Sequence, residues 1–260
     1  MNSSSGGAGL QVSGTIAEIA LANGPLNLVT RDLLRAFNNA LVEASANDAI
    51  RCVIVHGGEA RAFSAGSDIR EFAHLRHDAS EEKILFEDMV LRTLARVPVP
   101  TIAAIDGPAL GGGLEIALAC DLRVCRSGVA LGLTESRLGG LAGNGSVRLA
   151  RLIGPARAKE LLFTGETIAT DKALAWGIVN VVVDQGSALD GARRLAQTIA
   201  RRGPLSNRFA KKLVDAADDL PIDAALSQST VLQQRIFDSS DLREGMAAFF
   251  AKQDPDFSGR

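Results

Sequence analysis

The sequence predicts an α/β protein with a C-terminal helical subdomain, and three observations carry that prediction. Short β-branched or apolar runs alternate with stretches of helical spacing over roughly the first 185 residues, the pattern of strand–helix–strand crossovers around a largely parallel sheet. Small-residue or glycine-rich segments around Gly66, Gly111 to Gly113 and Gly139 to Gly145 lie near the junctions of such runs. From Ser187 onward the spacing is helical throughout, broken only at proline, glycine or serine.

Composition bounds what the chain can do. Its 260 residues, 47% of them hydrophobic, can bury one substantial core with a small appendage. A net charge of −2 and a pI near 6.0 leave no basic footprint for nucleic acid and no polybasic surface for a membrane. Cys52, Cys120 and Cys125 lie in or beside apolar runs without metal-ligand spacing, which reads as buried thiols in a reducing compartment. No run approaches the ~20 apolar residues that span a bilayer, and the start, MNSSSGGAG, has no signal or anchor pattern. The expectation is a cytoplasmic protein with a disordered leader over residues 1–9.

Taken in order, residues 16–21 read as the first strand, closed by the Asn23-Gly24-Pro25 turn. Thr30 then caps a helix to residue 46, with Leu33, Leu34, Phe37, Ala40, Leu41 and Ala44 on one stripe. A strand over 52–55 ends at Gly57-Gly58, and the small-residue loop of AFSAGSDIREF leads into another helical signal. Residues 80–97 have helical spacing until Pro98 and Pro100 stop them. Strands are predicted over 101–105, 121–125, 130–133 and 179–183, and helices over 114–120, 155–163 and 170–176, the last with Thr170 as cap. Four amphipathic segments, 187–202, 204–218, 221–238 and 240–252, complete the chain as a helical subdomain. Their apolar stripes exceed what one short bundle would hide, which points to subunit contacts.

The chemistry concentrates in TIAAIDGPALGGGLEIALACD, residues 101–121. A β-branched strand passes through a turn to Gly111, Gly112 and Gly113, and then to a greasy helix with Glu115 in its first turn. Glycines let the backbone N–H groups at the helix start approach a ligand, where the dipole favours developing negative charge. An acid in such apolar surroundings has its pKa raised toward the range of a general acid or base. The loop around Gly66 could bring a second N–H to the same point, as an oxyanion hole requires. A second acid, Glu135, follows another strand in GLTESRLGGLAGNG, and two carboxyl groups in one pocket can divide acid and base duties. Read singly, each of these features is also an ordinary turn, cap or solvated carboxylate. Other chemistries are excluded: Ile116 stands where a dinucleotide fingerprint needs glycine, and P-loop, serine-elbow and zinc spacings are all missing.

The segments AFSAGSDI, IAAIDGPALGGGLEIALACDL and LTESRLG, in this order, resemble the enoyl-CoA hydratase/isomerase family, also called the crotonase family. The likeness continues through RLARLIGPARAKELLFTGETI, ALAWGIVNVVV and the C-terminal SSDLREGMAAFFAKQDPDFSGR, so it covers almost the whole chain. It implies a crotonase-like spiral of ββα repeats over residues 10–199 with the acyl-CoA site, and a helical trimerisation region over 200–260. A homotrimer or a dimer of trimers is the implied assembly.

The resemblance also assigns roles. The amides of Ser67 and Gly112 would bind the thioester oxygen, and the CoA tail would run along the 62–66 loop, touching Ala62, Ala65 and Gly66 with Asp68 and Ile69 beyond. Coenzyme A would arrive as part of the substrate, with no separate cofactor and no metal. Hydratases of the family carry two glutamates where this chain has Glu115 and Glu135, whereas isomerases typically keep the second alone. The implied reaction is addition of water to the 2,3-double bond of an enoyl-CoA, Glu115 handling the water and Glu135 the proton at C2. The alternatives are another reaction on an acyl-CoA enolate (isomerisation, decarboxylation or thioester hydrolysis) or a non-catalytic RNA-binding role. The chain departs from the hydratase pattern at residues 141–146, LAGNGS, which lack the usual proline and are one residue short.

Overall fold

The structure is a computed structural model that describes residues 7–260. Its first strand, β1 (Gly7–Ser13), pairs antiparallel with β2 (Ile16–Ala22). The leader predicted over residues 1–9 is therefore corrected: residues 7–9 are strand, and residues 1–6 lie outside the described residues. Ala8 and Leu10 pack against the core from this strand, a gain from the neighbouring β2 that a glycine-rich start does not announce.

The helix α1 (Arg31–Ala46) follows, with the Thr30 side chain accepting the Leu33 N–H as the sequence predicts. After β3 (Cys52–His56) come α2 (Ile69–Leu75), a 3-10 turn at Arg76–Asp78, a π turn at Ser80–Ile84 and α3 (Leu85–Ala95). The single helix predicted over 80–97 is thus a π turn feeding an α-helix, and the wider turn carries Lys83 fully inward.

Next are β4 (Thr101–Ile105), β5 (Ala109–Leu110) and α4 (Gly112–Ala119), then β6 (Leu122–Arg126), β7 (Ala130–Gly132) and a 3-10 turn at Glu135–Leu138. The chain continues through α5 (Gly143–Ile153), α6 (Pro155–Thr164), β8 (Ile168–Ala169), α7 (Thr170–Ala175) and β9 (Val181–Val183). It ends in α8 (Ala188–Ala200), α9 (Pro204–Ala217), α10 (Ile222–Phe237) and α11 (Ser240–Ala251). Thr170 does not cap α7; Ala169 holds that position, and the Thr170 hydroxyl accepts the Gly128 N–H at 3.0 Å, tying α7 to the turn between β6 and β7.

The larger sheet runs β1-β2-β3-β4-β6-β9 and is parallel from β2 onward; the smaller runs β5-β7-β8. Successive turns of chain lay one strand in each sheet, β4 then β5, β6 then β7. An isolated parallel bridge between Ser64 and Ala109 carries the smaller sheet back to the turn after β3. This is the spiral of ββα turns. One face of the larger sheet is buried with α1, α3 and α4 in the main core. The other is covered by α8, whose Ala188, Ala192 and Ala196 pack on Cys52, Ile54, Ile102, Ala104 and Val124. The first of the four C-terminal helices therefore belongs to the sheet layers, because a parallel sheet needs both faces covered. No helix among the described residues is long and apolar enough to cross a membrane.

Candidate active site

Two loops meet because their strands run parallel in register. Leu110 N–H donates to the Ser64 carbonyl at 3.0 Å, and Ser64 N–H to that of Pro108 at 3.3 Å. With Ser64 bridged to Ala109, the residues at equal steps beyond them, Ser67 and Gly112, come level. They touch: a Cβ placed on Gly112 would lie 3.2 Å from Ser67 Oγ. Backbone packing fixes the approach, since a Cβ on Gly113 would fall 2.3 Å from the Ser64 carbonyl oxygen.

The hydrogen-bonding pattern leaves two amides open. Val29 N–H donates to Gly66 O at 2.9 Å and Asp68 N–H to Val29 O at 3.3 Å, so the loop is pinned on both sides of Ser67 while the Ser67 N–H is skipped. Gly111, with φ of 51°, turns the chain into α4 in a conformation that suits glycine. Gly112 then presents its N–H at the positive end of α4. Among the described residues neither the Ser67 nor the Gly112 N–H has an acceptor in the protein, so both are open to an oxygen from a ligand.

Two carboxyl groups lie near this glycine turn. Glu115, one turn into α4, is buried and accepts the Gly145 N–H at 2.6 Å. Burial is the main cause that pushes it up to about 7, partly offset by that hydrogen bond, with the charges of Glu87 and Glu135 adding to the rise. Glu135 opens its 3-10 turn just after β7, which pairs with β5 and whose Gly132 carbonyl accepts the Gly111 N–H at 2.9 Å. A Cβ on Gly111 would lie 2.7 Å from Glu135 Oε1, so this acid borders the same glycine turn from the other side. Its Oε2 is buried without a partner among the described residues, and burial raises its pKa. The structure thus brings Ser67, Gly112, Glu115 and Glu135 together. Such a set can hold a carbonyl oxygen as it gains charge and move protons beside it.

The altered segment at 141–146 still delivers what this arrangement uses. It starts α5, and its Gly145 N–H is the donor to Glu115. Of the residues assigned to a CoA tail, Ala62 is buried, with its carbonyl accepting from Asn27 Nδ2 at 3.3 Å. Ala65 and Asp68 are half-buried, Gly66 is buried with its carbonyl used by Val29, and Ile69 is exposed.

Sequence reasoning missed three residues. Asn27, fully buried, donates from Nδ2 to the carbonyls of Gly57, Ala62 and Phe63 and accepts at its own carbonyl from Ser64 Oγ, fixing the loop before Ser67. Lys83 donates to Val29 O at 2.9 Å and Glu71 Oε2 at 2.8 Å. Glu87 is buried, and its Oε1 would lie 3.2 Å from a Cβ on Gly112. The signal for the last two was present: 83, 87, 90, 91 and 94 share one helical stripe, and the charges were passed over in favour of its apolar members. A groove of about 910 Å³, bordered by Arg92, Asp121, Arg148 and Lys211, includes neither Ser67 nor Gly112 in its lining and runs toward α9.

A family profile described as enoyl-CoA hydratase/isomerase matches residues 11–260. A bovine protein, enoyl-CoA hydratase domain-containing protein 2, mitochondrial, is 39% identical, covering 85% of this chain and 76% of that protein. The rat methylglutaconyl-CoA hydratase, mitochondrial, is 34% identical over 90% of this chain and 76% of its own length. The crystal structure of enoyl-CoA hydratase from Bacillus anthracis superposes with a TM-score of 0.93 at 32% identity, covering 97% of this chain and 99% of that one.

Proposed function

The chain belongs to the enoyl-CoA hydratase/isomerase family, and from that premise we propose that it adds water across the 2,3-double bond of an enoyl-CoA thioester. The observation that carries the reading is the pairing of Glu115 with Glu135 about one set of free amides, because hydration must move two protons where isomerisation needs one mobile acid. In this reaction the thioester oxygen accepts from the Ser67 and Gly112 N–H groups. Glu115, in its ionised form, takes a proton from water as the water oxygen bonds to C3. The electron pair of the double bond passes to C2 and the carbonyl oxygen, and the enolate is held by the two amides. Glu135, protonated, gives its proton to C2, and the electrons return from oxygen.

The environments support this division. Glu115 near 7 supplies both forms close to neutrality, and the unpartnered Oε2 of Glu135 suits a neutral carboxyl group with a proton to deliver. Removing one donor from such an amide pair costs about 2.7–4 kcal/mol in known cases, so the pair can supply much of the rate. The CoA portion is taken to run past Ala62, Ala65, Gly66 and Asp68, with Ile69 exposed at the edge to meet it. Subunits are taken to assemble as a trimer, or a dimer of trimers, through the exposed apolar residues of α9 to α11.

Hydration of crotonyl-CoA, followed by loss of the enoyl absorbance, tests the reading. Glu135→Gln should lower kcat by about 10²–10⁴ while CoA-ester binding persists. A wild-type protein that yields a shifted double bond, a decarboxylated ester or free CoA in place of the 3-hydroxyacyl ester would replace hydration with that reaction.

A further inference from the structure

A third acid lies at the site, and neither the amide pair nor the hydration chemistry uses it. Glu87 projects from the first turn of α3 and is 9% exposed. Its Oε1 borders the Gly112 Cα, on the glycine whose amide is one of the two open donors, with Ser67 Oγ and Val29 Cγ2 beside it. Among the described residues its carboxyl oxygens accept no hydrogen bond, in contrast to Glu115, held by Gly145, and Glu71, held by Lys83. Its position is fixed from outside: Asn144 Nδ2 donates to the neighbouring Asp88 at 2.8 Å and ties α3 to α5.

The charges around Glu87 do not neutralise the site. Lys83, four residues earlier, is fully buried and already committed to Glu71 Oε2 and Val29 O. Arg148 on α5 is engaged by Asn144 and Leu91 O. Burial is the main cause that pushes Glu87 up to about 7, with the Lys83 charge pulling the other way and the charges of Glu135 and Glu71 adding to the rise, and Glu87 and Glu135 in turn raise Glu115. An acyl group that carried its own carboxylate to this site would add a fourth acid where, among the described residues, Lys83 and Arg148 are already engaged, and unpaired buried charge is among the costliest arrangements a site can hold.

We propose that Glu87 is a specificity-determining residue, whose unpartnered carboxyl group beside the Gly112 donor excludes acyl-CoA thioesters with a second carboxylate and keeps the site for uncharged acyl groups. The proposal rests on the acyl-CoA reading given above.

Equilibrium binding of two saturated esters of equal carbon number, pentanoyl-CoA and glutaryl-CoA, tests this without calling on the reaction. The wild type should bind pentanoyl-CoA at least tenfold more tightly, as a repulsion between partly screened charges a few ångströms apart requires. Glu87→Gln should narrow the ratio of the two dissociation constants at least threefold, and Glu87→Met provides the same comparison should the first variant fold poorly. Equal affinities in the wild type, or a ratio that neither variant changes, would overturn the exclusion while leaving the acyl-CoA reading standing. Failure of both esters to bind would remove the acyl-CoA reading and the proposal with it.

Discussion

The turns of the spiral around Gly112 and the helices α9 to α11 solve opposite problems. Near the open amides almost no atom can be added: a Cβ on Gly107 would fall 2.2 Å from the Arg61 carbonyl oxygen, and one on Gly113 2.3 Å from that of Ser64. The C-terminal helices leave large apolar side chains in the open, with Phe237 66%, Phe249 77% and Phe250 81% exposed. The contrast teaches where each kind of contact is needed. Backbone groups that must hold one atom in place are fixed by other backbone, within a single chain. Apolar surface left uncovered is stability that only a second surface can collect.

The sharpest way to break this comparison is to add one methyl group to the tight side. Gly113→Ala must push Ser64 away from α4 and with it the strand pairing that levels Ser67 with Gly112. Unfolding in urea should show a loss of about 3 kcal/mol or more, the scale of severe overpacking. A loss below about 1 kcal/mol would show that these turns yield, and that the amides are not held by packing.

A second effect of similar size belongs to the same enclosure and depends on pH. Glu87 and Glu115 are each pushed from 4.5 up to about 7, chiefly by burial, so each binds its proton more tightly in the folded chain than in the unfolded one. Stability is then fullest below about 4.5, falls as pH rises toward 7, and has lost the whole contribution above it. For each group the loss is on the order of 3 kcal/mol across that window. Other carboxyl groups titrate nearby, so the informative quantity is a difference. Glu87→Gln should be less stable relative to the wild type at pH 4.5 than at pH 7.5, and a pH-independent difference would mean that Glu87 is not held out of water.

The contrast between the two regions also decides what the sequence could reveal. Glu115 and Glu135 stood out because each follows a turn of small residues, which leaves a local pattern, whereas Ser67 and Gly112 were singled out as donors through the resemblance of their motifs to the family. The parallel register that sets Ser67 level with Gly112 is not local, and no spacing within either loop announces it. β1 was invisible because its glycine-rich start has no alternation, and its reason to be a strand is the neighbour across Gly14. Thr170 was misread as a cap because a hydroxyl at a helix start has the same sequence signature whether it serves its own helix or, as here, the Gly128 amide. Glu87 and Lys83 were missed for a simpler reason: a charged residue on an apolar stripe is ordinarily read as an interruption, and here two such residues are buried members of it.

The smallest effect expected on the single chain lies on the open side, and it sharpens the comparison by its absence. Phe249 and Phe250 meet edge to face at 5.7 Å near the end of α11, both largely exposed. Replacing Phe250 with Asp removes little contact within the chain, so the stability of the isolated subunit should move by no more than about 0.5 kcal/mol. If these side chains are covered by a second copy, the substitution buries a charge in that interface, and sedimentation should show a smaller species than the wild type at the same concentration. An unchanged sedimentation coefficient would assign the exposed apolar face to something other than self-association. A large loss of stability in the subunit alone would show that α11 is held by its own chain as firmly as the glycine turns are, and the division between the two regions would fall.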